Sequence, residues 1–135
     1  MVKGALIHPE ILHALSLCGH GDKVLIADGN YPLASETGDA QKVYLGLTPG
    51  TPDVTEVLEV LLETIAVEKA EVMRPDDGTK PEIFSEFTRL LGGMELEERE
   101  RQEFYHTCAH PKVRLAISTG EQRTYANILL TVGVV

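Results

Sequence analysis

Residue 20 is a histidine set between two glycines and followed by an aspartate, in the run Gly19-His20-Gly21-Asp22. A short apolar run, Val24-Leu25-Ile26-Ala27, separates it from Asp28-Gly29-Asn30-Tyr31-Pro32. Imidazole titrates near neutrality, so His20 can give or take a proton under ordinary conditions. A carboxylate just past an apolar strand stands where ligand sites of open α/β sheets gather. The pair points to acid/base chemistry on a small polar molecule, with a carboxylate (Asp22 or Asp28) orienting the imidazole or a ligand hydroxyl. The plainer alternative leaves His20 packed near a helix end and Asp22 as a solvated turn residue.

Two further clusters carry polar chemistry. In Arg101-Gln102-Glu103-Phe104-Tyr105, Arg101 and Tyr105 are four residues apart and share one helix face, a surface suited to hydroxyl groups. The alternative for Arg101 is a place on a solvated, charge-rich helix face. Thr119-Gly120-Glu121 followed by Tyr125-Ala126-Asn127 reads either as a turn before a strand or as a second binding loop offering a phenol and a carboxamide. His106 and His110 have the i, i+4 spacing of a ligand pair, but they lack the glutamate of HExxH, and Pro111 ends the helix there. No metal site is expected. Glycine-rich phosphate loops, GxSxG and paired CxxC motifs are absent, so no nucleotide cofactor is expected and serine or cysteine hydrolysis has no support.

The elements that must position these residues follow from pattern. Pro9 opens a helix with a stripe of Ile11, Leu12, Leu15 and Leu17, and Gly19 ends it. Residues 24–27 form a strand, 33–41 a loop and 43–47 a second strand. After a Pro/Gly turn at 48–52, Asp53 or Thr51 caps an amphipathic helix carrying Val54, Val57, Leu58, Leu61, Leu62 and Ile65. The charged segment 67–73 reads as a strand suited to a sheet edge. Helices over 81–91 and 100–109, a short strand at 94–98, and strands at 113–118 and 126–132 complete the chain. Strands alternating with helices predict an α/β fold, a three-layer sandwich with a central sheet and flanking helices, built as one domain over 1–135.

Composition narrows the partners. The chain has 135 residues, is 43% hydrophobic and carries a formal net charge of -9, which argues against nucleic acid and anionic membrane as partners. Cys18 and Cys108 belong to no disulfide or metal framework, and the N-terminal residues lack a signal-like apolar run. A cytoplasmic location is the expectation.

Taken in order, GHGD, D-x-N-Y-P, R-x-E-F-Y, TGE, Y-x-N-I-L-L and a terminal GV resemble the ribose pyranase / L-fucose mutarotase family. The likeness is strongest over 9–32 and 101–134. It implies a sugar mutarotase, an isomerase exchanging anomers or ring sizes of a free monosaccharide without a cofactor. Position by position it implies that His20 is the proton donor, and that Asp28, Arg101, Tyr105, Tyr125, Ala126 and Asn127 bind the sugar. Arg101 and Tyr105 have the form of the fucose branch, which is favoured on that ground. Ala126 has the form of the ribose branch, and the stretch between Tyr105 and Thr119 is longer than in fucose enzymes. The resemblance also implies a homo-oligomer, commonly a decameric ring, with sites near subunit boundaries.

Overall fold

A computed structural model describes residues 1–135. Five helices and six strands alternate: α1 (Pro9–Leu17), β1 (Lys23–Ala27), α2 (Leu33–Glu36), β2 (Gln41–Tyr44), α3 (Val54–Leu62), β3 (Val67–Met73), α4 (Glu82–Leu90), β4 (Leu96–Arg99), α5 (Arg101–Cys108), β5 (Val113–Ser118) and β6 (Ile128–Val132). The strands form one sheet in the order β2-β5-β1-β6-β3-β4. Only β6 runs against its neighbours; it lies antiparallel between β1 and β3, while the other pairs are parallel. Five strands therefore end at one edge of the sheet, and β6 begins there.

Alternation along the strands sorts side chains into two layers. Val24 and Ile26 of β1 join Ile11 of α1, Leu58 of α3 and Phe87 of α4 on one face. Leu25 and Ala27 join Leu33 of α2 with Phe104 and Cys108 of α5 on the other. The result is the α/β three-layer sandwich expected from the element pattern. Helix α3 starts with a reciprocal capping box, in which Asp53 accepts from Glu56 N–H and Glu56 accepts from Asp53 N–H.

Several local expectations need correction. Strand β3 is interior, not an edge; its charge is absorbed by an ion network around Glu71, which is fully buried. Lys23 Nζ lies 2.8 Å from that carboxylate, and the Arg99 guanidinium donates to it from Nε at 3.0 Å and from one terminal nitrogen at 2.9 Å. Burial alone would raise the Glu71 carboxyl, but Lys23 and Arg99, with Lys69 beyond them, outweigh it and hold it below its ordinary range. The loop at 33–41 contains the single-turn helix α2, and β2 starts and ends earlier than expected. Leu17 leaves the α1 stripe and is exposed, because the helix ends there and Cys18 is already extended.

Candidate functional site

The edge where five strands end gathers the polar residues. Asp28 is the first residue after β1, and Ala126 and Asn127 immediately precede β6. Antiparallel pairing of Ile26 with Ile128 sets them side by side. Asp28 N–H donates to Asn127 Oδ1 at 2.8 Å, and Asn127 Nδ2 returns a bond to Asp28 Oδ2 at 3.1 Å. The N–H groups of Ala126 and Asn30 donate to the same carboxylate at 3.2 and 2.9 Å. Asp28 is 3% exposed, and burial raises its carboxyl above the ordinary value despite these bonds.

Helix α5 begins at this edge, so Arg101 at its first position reaches the same place. One Arg101 guanidinium nitrogen donates to the Tyr125 phenol at 2.6 Å and lies 3.4 Å from an Asp76 oxygen. Its Nε is buried without a partner, a donor left over for a ligand. Tyr125 holds φ at +58°, a left-handed conformation uncommon for a non-glycine residue and concentrated at functional sites. Tyr105, one turn along α5, stands edge-on to Tyr31 with ring centroids 5.5 Å apart. Asp28, Tyr31, Arg101, Tyr105, Tyr125 and Asn127 thus face one pocket of about 240 Å³.

Ala126 departs from the expected arrangement. Its methyl group is fully buried in the apolar core, and its N–H is spent on Asp28, so it shapes the pocket without lining it. Thr119 and Glu121 anchor loops. Thr119 Oγ1 donates to Ala27 O, while Glu121 accepts from Val54 N–H and pairs with Arg123. Asn30, Tyr31, Met73 and Thr124 also line the pocket and are not among the expected site residues; for Asn30 and Tyr31 the available signal is their place in the D-x-N-Y-P run.

His20 is elsewhere. It precedes β1, so the whole strand separates it from Asp28: five residues at about 3.3 Å each, roughly 16 Å. Neither aspartate orients it. Asp22 instead accepts from Gly19 N–H at 2.8 Å. Asp22 N–H also bonds Gly19 O, closing a turn in which Gly21 has φ +89°. That positive φ explains the second glycine of the motif, and it leaves His20 exposed at the corner. The partner of His20 is Glu68: Nε2 lies 3.1 and 3.0 Å from its two carboxylate oxygens. Both line an open cavity of about 670 Å³ that also takes in His106 and His110. No group of three or more His, Cys, Asp or Glu side chains is arranged to hold a metal ion, and no helix is long and apolar enough to cross a membrane.

The model of the RbsD / FucU transport protein family matches residues 1–135. A D-ribose pyranase of Proteus mirabilis is 32% identical, with 99% of each chain covered. Bacillus subtilis RbsD, solved with D-ribose, superposes with a TM-score of 0.87 at 30% identity, covering 100% of this chain and 99% of that one. The fucose mutarotase of Streptococcus pneumoniae, solved with L-fucose, gives a TM-score of 0.81 at 28% identity, covering 96% and 94%.

Proposed function

The chain belongs to the RbsD / FucU transport protein family, and from that membership we propose that it opens and recloses the ring of a free monosaccharide. The observation that carries the reading is the pocket at the C-terminal edge of the sheet. It sets a buried carboxylate, a carboxamide, a guanidinium and phenols around a small volume. Such a set of acceptors and donors suits the hydroxyls of one sugar.

The ring oxygen takes a proton from the His20 imidazolium as its bond to the anomeric carbon breaks. The anomeric hydroxyl gives its proton to a base as its C–O bond becomes a carbonyl. Reclosure on the other carbonyl face gives the other anomer; reclosure through another hydroxyl gives another ring size. Atoms and charge balance with no oxidant or cofactor. Tyr105, Tyr125, Asp28 or a bound water serves as the base, and a burial-raised Asp28 is a better proton acceptor than an ordinary carboxylate. Sugars already interconvert in water, so general acid/base help of about 10²–10⁴-fold is sufficient.

His20 and Asp28 lie at opposite ends of β1, so a sugar held by one copy needs His20 from another. The active unit in this proposal is therefore an oligomer in which His20 of one protomer closes over the pocket of its neighbour. The preference for the fucose branch drawn from Arg101 and Tyr105 finds no support among the relatives, which include D-ribose pyranases and a fucose mutarotase. D-ribose and L-fucose are the first sugars to test.

Saturation-transfer NMR between anomer signals is the test. Catalytic protein should speed exchange of at least one sugar, and His20→Ala should abolish that effect while the fold persists. The family's transport description favours a second reading, a sugar-binding accessory protein. Binding without faster exchange would select it.

A further inference from the structure

We propose that Glu68 is a positioning residue for His20, fixing which imidazole nitrogen faces the sugar; the inference rests on the acid role proposed above. Its hydrogen bonding and its place in the strand point to it. Both Glu68 oxygens lie within hydrogen-bond distance of Nε2, so the carboxylate holds that nitrogen as its N–H and leaves Nδ1 to the ligand. Glu68 is also the extra residue of a β-bulge. Val67 pairs with Val132 and Lys69 with Thr131, so β3 advances two residues where β6 advances one. Bulges re-aim side chains and recur next to active sites.

The surroundings hold the bulge in place. Gly133 N–H donates to Ala66 O at 2.9 Å, and Gly21 N–H donates to Val132 O at 2.9 Å, which ties the His20 turn to the same end of β6. A Cβ on Gly133 would come within 3.2 Å of the Glu68 Cβ, so the glycine clears the approach. Of the lysines lining the same cavity, Lys23 is held by Glu71, Lys69 by Glu97 at 3.0 Å, and Lys112 forms no ion pair with Glu68. Glu68 remains the carboxylate committed to His20. A histidine oriented by a carboxylate that touches no substrate is a common acid/base arrangement.

The test compares Glu68→Ala and the nearly isosteric Glu68→Gln with His20→Ala, using D-ribose and L-fucose. Anomer exchange is read at saturating sugar, imidazole ¹⁵N shifts report the tautomer, and sedimentation reports assembly. Glu68→Ala should slow exchange on the order of tenfold or more, the weight of one charge-assisted hydrogen bond in a barrier. Its neutral His20 should become a mixture of tautomers. Glu68→Gln, which still accepts from Nε2–H, should keep the tautomer and recover part of the rate. Wild-type exchange in assembled Glu68→Ala, or a wild-type His20 protonated at Nδ1 in its neutral form, overturns the inference. Undiminished exchange in His20→Ala instead overturns the acid role itself, so the two failures are distinct.

Discussion

The two ends of β1 are built to opposite specifications. At its C-terminal end Asp28 is buried, is bonded by three donors and shares its pocket with Tyr125, whose backbone is left-handed. At its N-terminal end His20 stands on an exposed turn, its side chain 59% accessible, with one half-exposed carboxylate for company. At one end the polar groups are already hydrogen-bonded to one another. At the other the proposed acid stands open to solvent. If His20 is the acid, as proposed above, the difference means that acid and pocket must meet between copies rather than within one.

Alanine at either end should separate function from stability most sharply. Both Asp28→Ala and His20→Ala should remove detectable catalysis of anomer exchange. Asp28→Ala should also cost about 3 kcal/mol in urea unfolding, because the N–H groups of Ala126 and Asn30 and the Asn127 amide lose a buried acceptor. His20→Ala should change stability by less than about 0.5 kcal/mol. Equal stability losses would break the contrast.

Asp28 also contrasts with Glu71, the buried carboxylate of β3. Removing Glu71 leaves Lys23 and Arg99 facing each other in a largely closed site, so Glu71→Gln should cost about 2–3 kcal/mol near neutral pH. The pH dependences have opposite signs. Glu71 is held below its ordinary range, so its contribution is present above that range and is lost as pH falls through its folded value. Asp28 is held above its ordinary value, so ionising it in the fold is penalised and its contribution declines as pH rises through that window. Urea titrations from about pH 7 down to about pH 3 should show the gap between wild type and Glu71→Gln closing with acid. Wild type should gain on Asp28→Asn over the same range.

The smallest effect belongs to Tyr125. At φ +58° a β-branched side chain is strained and glycine is not. Tyr125→Gly should therefore be about 1–2 kcal/mol more stable than Tyr125→Val in thermal unfolding. Both lose the phenol that accepts from Arg101, so both should bind sugar more weakly. Equal stabilities would show that the backbone there is unstrained.

The residue pattern made the elements legible, because apolar alternation and capping act locally. It hid whatever depends on pairing. The charges of β3 suggested an edge, since nothing in 67–73 reveals that Lys23 and Arg99 come from distant segments to neutralise Glu71. Helix α2 is a single turn, too short to show a period. Asp28, Arg101, Tyr105, Tyr125 and Asn127 stand out in the motifs, and the sheet brings them together because β6 starts where β1 and β4 end. His20 and Asp28 are near in sequence and far apart in space, because an extended strand separates its two ends. Glu68 left no sequence trace, since a bulge exists only relative to the strand it faces.

Complementation tests the shared site most directly. His20→Ala and Asp28→Ala chains, each expected to lack catalysis alone, are mixed equally, unfolded and reassembled, and anomer exchange is measured on the sugar the wild type turns over. If acid and pocket come from different copies, about a quarter of the sites regain both groups and exchange returns in that proportion. If mixed assemblies form and exchange stays at the level of the separate variants, the two half-sites do not work across copies and the account is wrong.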